Sequence, residues 1–177
     1  MDSNRICIGI DGARRYVSTT GAGGLCISNT QGFNQISGTV RVNGQVASTG
    51  TPVGLGDCIT TELAGEGSFS VGADAFLVRG ASEVELSGDG VIAQTLSGLT
   101  GAILGVFGPQ NTEMTIDRPV ATAGIRGTAA YTISEPARSY ICVRYGSAVL
   151  TSKAVPGANE AIQTSHHGSP QYFILPG

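Results

Sequence analysis

Turn-forming residues punctuate this chain at intervals of about eight to twelve residues, and the segments between them alternate in polarity instead of following a helical period. In I-S-G-T-V-R-V-N-G-Q-V, Val40 and Val42 fall on one side of an extended chain, with Thr39 and Arg41 on the other. Asn43-Gly44 both tolerate positive φ, so a two-residue hairpin turn is expected there. Phe69 and Val71 share a face of S-F-S-V-G, and Gly80 divides A-F-L-V-R from A-S-E-V-E-L, in which Glu83 and Glu85 share a face near Arg79. T-E-M-T-I-D-R alternates again, and in S-Y-I-C-V-R-Y Tyr140, Cys142 and Arg144 oppose Ile141, Val143 and Tyr145. V-I-A-Q-T-L and A-I-L-G-V-F show little alternation, which predicts strands covered on both faces in the core. The expectation is an all-β chain built as a sandwich or curved double sheet of short antiparallel strands.

The sharpest local signature is P-V-A-T-A-G-I-R-G-T, from Pro119 to Thr128. Val120 and Thr122 favour extended backbone, Gly124 and Gly127 break or bulge it, and Ile125 and Arg126 point to opposite faces. Ile125 is expected in the core. Arg126 is expected to hold backbone carbonyls or a carboxylate on a neighbouring strand, since its five donors suit bridging between segments. Asp57, in V-G-L-G-D-C-I-T-T, is expected to accept backbone N–H bonds at a turn.

Charged residues make up only 13% of the chain, about half the usual share, so Ser, Thr, Asn, Gln and Gly must cover much of the surface. Such a surface suits an exported or assembling β protein. A net charge of -3 with no basic run argues against nucleic acid as a partner. No apolar run reaches the ~18 residues that a membrane-spanning helix needs. Cys7, Cys26, Cys58 and Cys142 lie far apart without zinc-finger spacing; buried thiols and two disulfides in any of three pairings are both open.

Residues 1–35 differ from the β domain expected over 36–177. Arg14-Arg15 followed by Tyr16 and a mild apolar, Gly-rich run resembles a twin-arginine export leader, although no A-x-A cleavage site follows. The alternating R-I-C-I-G-I reads equally well as a strand, one that could be exchanged with a neighbour. The first reading places the protein in the periplasm or outside the cell; without a leader it would be cytoplasmic.

Together, N-G-Q-V, V-G-L-G-D-C-I-T-T, A-F-L-V-R-G-A-S-E-V-E-L, A-G-I-R-G-T-A-A-Y-T and Y-I-C-V-R-Y-G-S-A-V resemble a FecR-type domain over roughly residues 36–150. The resemblance implies a jelly-roll-like all-β sandwich, a stand-alone exported copy, and Gly124, Arg126, Gly127, Thr128 and Asp57 as structural motif residues. The family is named for a periplasmic regulator, so signalling through a protein partner is an implied role.

His166 and His167 are the only histidines, in a stretch that Gly168 and Pro170 make turn-like, where both rings can converge. With Cys142 and one carboxylate they would satisfy a tetrahedral zinc or iron site. The resemblance supports this grouping, since similar stand-alone members combine a histidine pair with a Y-x-C-x-x-Y-G strand, as at Tyr140 to Gly146 here. A surface histidine pair is the alternative. No G-x-S-x-G elbow is present, and Gly21 to Gly24 lack the Lys-Ser/Thr of a phosphate loop. The expected function is therefore non-enzymatic: an exported domain that binds or senses a protein partner or ligand. Self-assembly into a fibre or lattice through strand exchange is one alternative, and a small metal-binding protein another.

Overall fold

A computed structural model describes residues 5–11, 14–18, 24–28, 31–89, 92–108, 113–135, 138–164 and 171–174. Among them there is no helix. β1 (Arg5–Asp11), β2 (Arg14–Ser18) and β3 (Gly24–Ser28) make a separate antiparallel sheet in the order β2-β1-β3, with Cys7 opposite Cys26 in register. A thirteen-stranded sheet holds the rest: β4 (Gly32–Ser37), β5 (Val40–Val42), β6 (Gln45–Val46), β7 (Cys58–Thr61), β8 (Glu66–Val71), β9 (Asp74–Val78) and β10 (Glu83–Asp89), followed by β11 (Ile92–Val106), β12 (Met114–Asp117), β13 (Ala121–Glu135), β14 (Arg138–Ser152), β15 (Asn159–Thr164) and β16 (Gln171–Ile174). The all-β expectation therefore holds, and the sheet is open, with β15 and β6 at the two ends of its main path.

The sheet doubles back on itself because β11, β13 and β14 each belong to two leaves. In leaf 1, β5, β7 and β10 lead to the first half of β11, then β12, the first half of β13, the second half of β14 and β15. In leaf 2, β4, β8 and β9 lead to the second half of β11, the second half of β13, the first half of β14 and β16. All pairings are antiparallel except β11–β12. The three shared strands are 15 residues each, longer than the short strands expected from turn spacing.

Each shared strand changes phase where it passes between leaves. The register skips Leu99 on β11, which follows Gly98 and stands two residues before Gly101, whose φ is +85°. It skips Thr128 on β13 after Gly127, and Arg144 on β14 before Gly146, whose φ is +111°. One unpaired residue moves every later side chain to the opposite face. Ile125 is thus buried before the switch, but Thr132 and Ser134 are buried after it. The same switch joins I-A-Q-T-L and A-I-L-G-V into one strand: Leu96 and Ile103 face the core, while Ser97 and Leu104 lie half-buried on the outside. Among the described residues of these two segments, successive burial is reached only at Gly105 to Phe107.

One apolar cluster fills the space between the leaves. Leaf 1 supplies Val40, Ile59, Leu86, Leu96, Ile116, Ile125 and Leu150. Leaf 2 supplies a run of rings from Phe33 through Phe69 and Phe76 to Phe107, with centroids 5.2, 5.3 and 6.2 Å apart. Such contacts contribute beyond area burial by about 0.5–1.5 kcal/mol each.

Candidate binding face on the second leaf

The phase switch leaves an apolar strip on the outside of leaf 2. Across it, Leu77 stands opposite Leu104, Leu104 opposite Tyr131, and Tyr131 opposite Cys142. In the next row, Ala102 stands opposite Ile133 and Ile133 opposite Tyr140. All seven are half-buried. The Tyr131 and Tyr140 rings meet edge to face, 6.4 Å apart at 68°. At the end of the hairpin Glu135 lies opposite Arg138, which reaches it in bidentate fashion, Nε to Oε2 at 2.6 Å and Nη2 to Oε1 at 3.1 Å. This hydrogen-bonded cation holds the Glu135 carboxyl below its ordinary range, so the pair is fully charged at neutral pH.

Tyr131, Ile133, Glu135, Arg138 and Tyr140 line a shallow pocket of about 320 Å³. Its walls are aromatic and aliphatic and its rim is an ion pair, a combination suited to seating an apolar side chain whose flanking backbone or polar groups meet the charges.

The residues singled out from sequence are dispersed around this face. Ile125 is in the core, 1% exposed, as expected. Arg126 reaches Glu113, just ahead of β12, with Nε 3.3 Å from Oε2; at 71% exposure this is a surface pair, worth little. Gly124 lets Glu113 approach, because a Cβ there would collide with its carboxylate. Gly127 and Thr128 form the β13 phase switch. Asp57 organises its turn by accepting the Gly54 N–H at 2.7 Å and the Asn43 amide at 2.7 Å, while Asn43, at φ 50°, accepts the Cys58 N–H at 2.9 Å. Arg79 does not relieve Glu83 and Glu85: it pairs with Glu66 at 3.2 Å, since the β8–β9 register sets the two ends side by side. The two glutamates instead lie across from Thr60 and Cys58, whose thiol is pushed up first by burial and then by their charges.

Cys142 adjoins the tyrosines and, like Cys58, is not in a disulfide. His166 and His167 lie outside the described residues, and among the described residues no group of three His, Cys, Asp or Glu side chains is placed to hold a metal. Sequence reading overlooked Arg118, although the alternation M-T-I-D-R puts it on the inward face with Met114 and Ile116. No family model, curated protein or solved structure matches this chain.

Proposed function

We propose that this protein is a non-enzymatic, exported binding domain of the FecR type, and that it recognises a protein partner or ligand through the outer face of leaf 2. One observation carries the reading: where β13 and β14 enter leaf 2, they turn two tyrosines and an isoleucine outward around a pocket and turn hydroxyl side chains inward. An outward apolar strip of this kind is the usual mark of an interaction site on a β domain. The low charge content, the Arg14-Arg15 pair and the A-G-I-R-G-T and Y-G-S-A-V segments support the exported, FecR-like part of the proposal. The test is affinity purification from a native cell envelope with wild type and with Tyr131→Ala/Tyr140→Ala. A partner retained by wild type and lost by the folded variant is expected; equal retention by both would move recognition elsewhere.

Self-assembly is a second reading, favoured by β15, which ends the sheet with most of its residues exposed, next to exposed Val149 (48%) and Val155 (54%). Sedimentation across a concentration series separates the two: a monomer throughout removes the second. At no point among the described residues is there a helix long and apolar enough to cross a membrane.

A further inference from the structure

Arg118 is 1% exposed and the largest fully buried side chain among the described residues. It follows Met114 and Ile116 on the inward face of β12, and its backbone N–H donates to Ala121 O at 2.9 Å. The guanidinium crosses the interior from leaf 1 to leaf 2, where Nη2 donates to Thr132 Oγ1. Gly98 lies directly beneath it, and a Cβ there would fall on Nη1.

Among the described residues no carboxylate pairs directly with the guanidinium, and only the neighbouring Asp117 charge acts on it, partly opposing the effect of burial. Asp117 faces the other side of β12 and pairs with Lys153 Nζ at 2.6 Å. Asp74, the buried acid, stands at the far end of β9 and accepts the Gly108 N–H. Nε and Nη1 of Arg118 have no hydrogen-bond partner among the described residues, and neither do the hydroxyls of Ser134 and Ser139. Ser134 lies two residues beyond Thr132 on the same inward face, and Ser139 stands opposite Ser134. Four polar atoms without partners thus lie in the interior, two on the guanidinium that crosses between the leaves and two on the inner face of leaf 2, where each unpaired polar group is costly and an uncompensated charge far more so. Burial lowers the Arg118 pKa to about 10, which still leaves the group cationic at neutral pH.

We propose that Arg118, with the Thr132, Ser134 and Ser139 side chains, is an internal binding site for a small monovalent anion of the chloride type. The guanidinium N–H groups can only donate, and the hydroxyls of Ser134 and Ser139 can rotate to donate as well, a set that suits an acceptor-only ligand. Charge selects a monovalent one, because Arg118 is the only buried cation among the described residues and a divalent oxyanion would leave a net negative charge in the interior. Seated there, the anion would tie leaf 1 to leaf 2 at the phase switch.

The test uses the full chain in thermal unfolding at constant ionic strength, with sodium gluconate replaced stepwise by sodium chloride. Wild type is expected to gain stability along a saturating curve, as for a ligand that binds only the folded state. Arg118→Met removes the response. Ser134→Ala/Ser139→Ala, which keeps the guanidinium and is the safer variant for folding, is expected to need about a hundredfold more chloride for half the effect, since each of the two hydrogen bonds to a charge is worth about a factor of ten. A wild-type midpoint that does not move with chloride overturns the proposal. So does a rise of equal size and midpoint in the serine double variant, which would mark a general salt effect.

Discussion

On the leaf 1 side of the phase switch, β13 and β14 bury Ala121, Ala123, Ile125, Ala148 and Leu150 and turn Thr122, Arg126, Ser147 and Thr151 outward. On the leaf 2 side of the same hairpin they still bury Ala130, Ile141 and Val143, but Thr132, Ser134 and Ser139 join them inside, while Tyr131, Ile133 and Tyr140 face out. The first half is an ordinary half of a sandwich. In the second, polarity is partly inverted and the two faces differ in role, the inside meeting Arg118 and the outside presenting a pocket. A bulge of one residue per strand is enough to reverse which side chains face inward within a single hairpin.

The largest effect should fall on the ordinary half. Ile125→Ala removes a fully packed side chain and should cost about 2–5 kcal/mol in denaturant unfolding. A loss below about 1 kcal/mol would mean that this half is no better packed than the other. Gly98→Ala probes the inverted interior, because its methyl would displace the guanidinium; about 1–3 kcal/mol is expected, and a neutral result would place Arg118 elsewhere. On the outer face of the same half, Tyr131→Ala should cost about 1 kcal/mol or less of stability while abolishing partner retention, the split that marks a recognition residue.

Smaller effects sharpen the contrast between outer faces. Arg126→Ala, on leaf 1, should change stability by no more than about 0.5 kcal/mol, because the Glu113 pair is screened by solvent. Cys58, opposite Glu85 on leaf 1, has its thiol pKa raised first by burial and then by Glu83 and Glu85. The unfolded chain then loses this proton at lower pH than the folded one, so the stabilising contribution is complete below the unfolded pKa and declines as pH rises through the folded value. The alkylation rate of Cys58 should accordingly rise at higher pH than that of a free thiol, and Glu85→Gln should shift the profile back down. A profile at or below that of a free thiol would contradict this.

Much of the architecture was legible in the chain. Alternation around Val40 and Val42, the burial of Phe69 and Val71, the Asn43-Gly44 turn and the inward Ile125 all depend on neighbours in sequence and stand as expected, although Ser68 and Ser70 are buried as well because β8 is covered on both faces. Asp57 was legible for the same reason, since its carboxylate serves an amide three residues away. The pocket was not. Simple alternation from Ile125 would put Tyr131 and Ile133 in the core, and only pairing with β14 shows that Thr128 and Arg144 are skipped. Arg118 was legible as an inward position through Met114 and Ile116, but its burial beneath Thr132 was not, because that contact joins different leaves.

The sequence alone determined that this protein is all-β, where most of its turns fall, and which of its glycines break the extended chain, because those properties follow from local φ preferences and period-two burial. The tertiary structure decided which face each half of a long strand presents and which side chains meet across the two leaves. A one-residue register skip costs little locally, yet it reverses every side chain beyond it, and its position is set by the partner strand.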